Sequence, residues 1–279
     1  MNARALVLIV ALATTPALFA EQSGTRFRTE FAKEKNGPHG ECRTGWTTLQ
    51  PGLQYRSISC LGDEAHLDLH VVRIDLDRWN LDTVVVSPAT AHTIAHDNDA
   101  SFVVNANFFD SARAPLGAVV QSGSVVHAPR GSSWQSIFLI DGDGKPLIVM
   151  PLEWSSHRDK ARMAVQAGPR LVVSAHTLTS FKRDLAAARA GVCIGANGDV
   201  LFFATPQNRK LQISEIAKVA QRAEIDGGLA CQDAMLFDGG HSVNFYAADD
   251  KQRVSVEGDP VPVFVVATRH RAGDDSQTK

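Results

Sequence analysis

The sequence predicts a mixed, β-rich fold in one domain, and three observations carry that expectation. Apolar and polar residues alternate over several short runs, glycine-containing turns separate those runs, and a single stretch has a clear helical period. A domain of roughly 200–250 residues is ordinary for such folds, so the 279 residues do not require two.

The elements follow in order. Residues 21–60 read as a loosely structured polar lead-in with Asn36-Gly37-Pro38-His39-Gly40 inside it. Residues 66–76 alternate as a half-buried strand does, with 81–86 as the expected neighbour. A short helix within 90–99 precedes a strand over 102–105. Gln121-Ser122-Gly123-Ser124 and Asp141-Gly142-Asp143-Gly144 each separate β-prone runs as hairpin turns. Ala196-Asn197-Gly198-Asp199 is a third, and its Asn-Gly pair suits a tight turn in which both central residues take positive φ.

The clear helix begins at Ser214 as its cap. Ile216, Val219, Ala220 and Ala223 share one face, and the helix ends near Asp226-Gly227-Gly228. A strand over 234–237 runs into Asp238-Gly239-Gly240. Strands around 243–247 and 261–267 close a domain spanning 61–270, and 271–279 form a polar tail.

Composition bounds what the protein does. With 44 % hydrophobic and 21 % charged residues, the chain can bury a core without metals or disulfides. A formal net charge of −2 gives no bulk attraction to nucleic acid or to an anionic membrane, so no nucleic-acid partner is expected. Arg4, the apolar run 5–13 and small residues up to Ala20 have the layout of a signal peptide over 1–20. A periplasmic or secreted protein is therefore expected. A membrane span needs about 20 apolar residues, and no later segment supplies one, so no transmembrane segment is expected in the mature protein. Four cysteines, Cys42, Cys60, Cys193 and Cys231, then imply two disulfides. Three pairings are possible; proximity in sequence favours Cys42 with Cys60, and position at strand edges favours Cys193 with Cys231. Their spacing does not suit zinc.

Several residues could carry chemistry. Asp238 ends an apolar strand before two glycines and His241-Ser242, where a carboxylate can meet a ligand close to the main chain. Spacing alone fits a plain Asp-Gly hairpin equally well. Asn105 and Asn107 lie two apart, so both amides can face one pocket and bind sugar hydroxyls, or else satisfy loop backbone. Arg170, after Gly168-Pro169, and Arg189 offer guanidinium forks that match a phosphate, against the common alternative of a solvated surface arginine. Other patterns are set aside. His92 and His96 lack the glutamate of a zinc-protease helix, and Leu152 stands where a calcium loop based on Asp141 needs its glutamate. No Gly-x-Ser-x-Gly elbow or phosphate-binding P-loop occurs.

Taken as an ordered set, four segments resemble the phosphodiester glycosidase family, in its bacterial exported branch. They are Val104-Asn105-Ala106-Asn107-Phe108-Phe109, Ala167-Gly168-Pro169-Arg170-Leu171-Val172, Arg189 with Val192-Cys193-Ile194-Gly195, and Cys231 through Ser242. The resemblance spans about residues 67–267, and the last segment is the most specific. It departs from the family pattern at His241-Ser242 and at Asn105-Ala106-Asn107. The resemblance implies an α+β fold, with a mixed, mainly antiparallel sheet and a few flanking helices. It also implies a hydrolase that splits a sugar-1-phosphodiester in a glycan or cell-envelope polymer. In that reading Asp238 is the general acid or base, His241 a proton donor, and Arg189 and Arg170 stabilise the phosphate. Asn105 and Asn107 orient hydroxyls, while Gly239, Gly240 and Ser242 shape the binding turn. No cofactor is expected, and no ligand cluster calls for a metal. The competing reading is a non-catalytic protein that binds polysaccharide with the same pocket.

Overall fold

The computed structural model describes residues 41–43, 45–61 and 67–270. The expected signal segment, most of the lead-in and the polar tail lie outside the described residues, as do the side chains of Cys42 and Cys60. The described residues belong to one compact unit, Asn36–Lys279.

The chain runs through β1 (Glu41–Arg43), β2 (Thr47–Gln50), β3 (Leu53–Leu61), β4 (Leu67–Ile74) and β5 (Trp79–Ala89) to helix α1 (Ala91–Asp97). Next come β6 (Phe102–Asn105), β7 (Val119–Gln121), β8 (Ser124–His127), β9 (Ser136–Asp141) and β10 (Pro146–Val149). A 3₁₀ segment, Pro151–Ser156, leads to β11 (Ala161–Ala167), β12 (Arg170–Val173), β13 (His176–Thr177), β14 (Ala190–Gly195) and β15 (Val200–Ala204). Helix α2 (Ile213–Gln221) precedes β16 (Cys231–Leu236), β17 (Phe245–Ala248), β18 (Arg253–Val256) and β19 (Val261–Arg269).

These strands form three sheets. The largest has the order β1-β3-β4-β15-β14-β16-β12-β13, with β2 also on β3; the others are β10-β9-β11-β7-β8 and β18-β17-β6-β19-β5. Every pairing among the described strands is antiparallel. The mainly antiparallel pairing and the few flanking helices are as expected, but the class is β-rich rather than a balanced α+β, with three sheets in place of one. The two α-helices have only 7 and 9 residues. Antiparallel neighbours can be joined by short turns, whereas parallel ones need helical crossovers.

Period-two alternation places the core. Val72 and Ile74 of β4, Val192 of β14 and Phe202 of β15 face a central cluster, together with Phe102, Val104 and Val265 of one small sheet and Phe138, Met163 and Val165 of the other. The intervening residues Leu69, Val71, Cys193, Leu201 and Phe203 face outward onto Ile213, Ile216 and Ala220 of α2. Likewise Val103 and Phe264 turn away from the centre to pack on Ile94 and Ala95 of α1. The large sheet and the β5-containing sheet thus bury both faces.

Several local expectations change. Residues 47–60, assigned to the lead-in, form β2 and nearly all of β3, whose polar letters conceal buried Leu53, Arg56 and Ile58. Residues 81–86 do not pair with β4; β5 pairs with β19, and β4 lies between β3 and β15. The decisive partner is far away in sequence. Ser214 lies inside α2, not at its cap: Gln212 and Glu215 form the capping pair, and the Ser214 hydroxyl and N–H donate to Asp184 at 2.5 and 3.0 Å. Helix α2 ends at Gln221, so Ala223 is outside it; Gly227, at φ 77°, caps the short 3₁₀ turn Glu224–Asp226. The β7–β8 hairpin has positive φ at both Ser122 and Gly123, whereas only Gly198 of the Asn197-Gly198 pair takes it.

Candidate active site

The end of β16 is where the separate motifs meet. Successive N–H groups there reach three other segments: Leu236 donates to the Pro169 carbonyl at 2.9 Å, Phe237 to Ala190 at 2.8 Å and Asp238 to Ala106 at 2.9 Å. Pro169 follows β11, Ala190 opens β14 and Ala106 follows β6, so four stretches distant in sequence are tied to one strand end.

The Asp238 side chain is half-buried. Burial pushes its pKa up from 3.8 to about 6, partly offset by hydrogen bonds from the Ser242 side chain and the Gly239 N–H. The two glycines have separate physical causes. A Cβ on Gly239 would stand 2.8 Å from the Ala188 carbonyl, and Gly240 has φ of +64°. The Gly240 N–H returns to that same Ala188 carbonyl at 2.8 Å, closing the turn onto the segment that carries Arg189.

Arg189 is positioned by its neighbours. Its N–H donates to Thr205 Oγ1 at 2.9 Å, its Nε to the Leu211 carbonyl at 2.9 Å and its Nη2 to the Leu185 carbonyl. Nη1 lies 3.8 Å from the point where a Gly239 Cβ would be, which puts the guanidinium beside the Asp238 turn. Burial lowers its pKa somewhat and Asp184 opposes that; a guanidinium stays charged throughout.

The asparagines hold backbone. Asn105, 1 % exposed, donates through Nδ2 to the Asp238 carbonyl at 2.7 Å and accepts through Oδ1 from the Asn244 N–H at 3.0 Å. Asn107 Nδ2 donates to the Ala118 carbonyl at 3.1 Å, while its buried Oδ1 has no hydrogen-bond partner. Arg170 pairs with Asp233 and is not turned to the Asp238 carboxyl by any hydrogen bond or ion pair. His241 is exposed, and its carbonyl accepts from the Asp259 N–H at 2.7 Å. The structure thus gathers Asp238, Gly239, Gly240, Ser242, Asn105 and Arg189, and gives Arg170 a different partner.

Sequence reasoning missed Asn244 and Asp184. Asn244 is fully buried; it accepts from the Ala91 N–H and donates to the Ser242 and Asp259 carbonyls, fixing the turn against α1. A polar residue opening the apolar run 245–247 was the available signal for Asn244, and Asp184 had none. Cys193 and Cys231 form a disulfide between β14 and β16. The backbone register also sets Cys42 opposite Cys60. Two surface clefts, of about 450 and 810 Å³, contain none of the gathered residues. Among the described residues, no three His, Cys, Asp or Glu side chains converge as a metal site would require.

The chain belongs to the phosphodiester glycosidase family, whose model matches residues 98–268 and so takes in Asn105, Arg189 and Asp238. Among solved structures it is similar to the catalytic domain of zebrafish N-acetylglucosamine-1-phosphodiester alpha-N-acetylglucosaminidase, auto-inhibited by its pro-peptide. That match has a TM-score of 0.63 at 14 % identity and covers 82 % of this chain and 88 % of the other. A hypothetical protein from Synechocystis aligns with a TM-score of 0.61 at 14 % identity, covering 82 % of this chain and 64 % of that one. At such identities the likeness is one of fold. No curated protein sequence matches the chain.

Proposed function

We propose that this protein is an exported hydrolase that splits the bond between a sugar and a phosphodiester in a glycan or cell-envelope polymer. The observation that carries the reading is the Asp238 carboxyl, pushed by burial to a pKa of about 6, on a turn whose Gly239 lies next to the Arg189 guanidinium. A carboxyl titrating there is a stronger base than an ordinary aspartate, yet it is ionised at neutral pH. A phosphate leaves readily, because its second ionisation also lies near 6. The weak reactant is water. Asp238 is therefore assigned to take the proton of the attacking water, and Arg189 to stabilise charge on the departing phosphate. Ser242 and the Gly239 N–H orient the carboxylate, and Asn105 fixes its backbone. Family membership supports a sugar-containing substrate. The buried Cys193–Cys231 disulfide and the N-terminal layout of Arg4 and residues 5–13 support a periplasmic or secreted site of action.

A panel of sugar-1-phosphodiesters assayed on the purified protein tests the reading. Turnover should occur on at least one of them, and Asp238→Asn should lower it by at least a thousandfold while leaving glycan binding intact. Glycan binding by the wild type without any turnover would instead favour a polysaccharide-binding protein.

A further inference from the structure

One exposed aromatic side chain stands at the same end of the fold. Trp134 is 53 % exposed, although an indole ordinarily contributes to stability by being covered. Its loop is firmly mounted. The Ser132 hydroxyl accepts from the Trp134 and Gln135 N–H groups at 3.4 and 3.1 Å. Gln166, fully buried, clamps the chain nearby: its Oε1 accepts from the Arg130 N–H and its Nε2 donates to the Arg130 carbonyl and to Gln135 Oε1. The Ala118 N–H also donates to Gln166 Oε1, so one amide joins the 130–135 loop to the segment that follows Phe108.

The neighbours of Trp134 place it at the site. Its ring lies 5.6 Å from that of Phe108, at an interplanar angle of 54°. Phe108 comes two residues after Ala106, whose carbonyl holds the Asp238 N–H. On the other side the Trp134 carbonyl packs so closely on Gly168 that a Cβ there would stand 2.9 Å from it, and the adjacent Pro169 accepts from Leu236. The aromatic pair therefore bridges the two segments that flank the end of β16.

We propose that Trp134, backed by Phe108, is a stacking platform for a pyranose ring of the substrate; this rests on the glycosidase reading above. A pyranose carries its hydroxyls at the rim and presents a face of C–H groups, which matches the electron-rich face of an indole. Stacking fixes the plane of the sugar while the hydroxyls stay free for amides and water. A rigid mount spares the entropy of ordering the ring on binding.

Acrylamide quenching of intrinsic fluorescence tests the platform directly. Of the four tryptophans, Trp79 and Trp154 are buried and Trp46 is half-buried, so quenching reports mainly on Trp134. Glucose 1-phosphate or N-acetylglucosamine 1-phosphate should protect it, and inorganic phosphate should not. Trp134→Ala should raise KM roughly tenfold with little change in kcat, and Trp134→Phe should restore most of the loss. Unchanged KM in Trp134→Ala, with hydrolysis intact, would overturn the platform and leave the hydrolase reading standing. Protection by sugar phosphates without turnover would support the platform and overturn hydrolysis. Neither protection nor turnover would overturn both.

Discussion

Asp238 illustrates how a site residue is made unstable for a purpose. Its pKa is raised in the folded chain, so the protonated form is favoured by the fold and the ionised form is penalised. The stability linked to the bound proton is full below the unfolded value near 4 and is lost as pH rises through about 6. Asp238→Asn carries no such penalty. It should therefore unfold at higher denaturant than the wild type at pH 7.5, by about 2–3 kcal/mol. The gap should shrink below pH 6 and close near pH 4, as chemical denaturation across pH can measure. Asn105 shows the other side of the same design: buried and bonded to the Asp238 carbonyl, it positions the main chain, while Ser242 and the Gly239 N–H hold the carboxyl.

At the scale of elements, β14 and β16 carry the site between them. Arg189 directly precedes one and Asp238 closely follows the other, and Cys193–Cys231 staples the pair on the face covered by α2. That bridge closes a separation of 38 residues, which corresponds to about 3–4 kcal/mol of unfolded-state restriction. The double variant Cys193→Ala, Cys231→Ala should lower unfolding free energy by that order, read by urea titration, while the Asp238 turn keeps its own bonds to Ala106 and Ala188. The strands that flank the site were legible in the sequence: 102–105 and 261–267 are short, β-branched-rich apolar runs, as strands buried on both faces are. Less legible were β2 and β3, because Arg56 is buried beneath the Trp46 ring and reads as a surface residue. The Ser214 cap was misread for a similar reason, since its partner, Asp184, sits in a loop with no pattern of its own.

Across the whole molecule, three antiparallel sheets share one core, and the active-site candidates lie where loops from two of them meet β16. Local periodicity could find the strands but could not assign them to sheets, because β5 finds its partner in β19 at the far end of the chain. The Asp238 motif was visible as a turn. Its raised pKa was not, because burial there is supplied by residues from distant segments. Arg170 looked equal to Arg189 in sequence; in the structure Arg170 pairs with Asp233, whereas Arg189 is held next to Gly239.

The pH dependence of kcat/KM on a sugar-1-phosphodiester tests the central claim most directly. With Asp238 as the base, kcat/KM should be level above neutrality and fall about tenfold per pH unit below about 6. A profile that stays flat through that range, or one that rises as the pH is lowered, would contradict it.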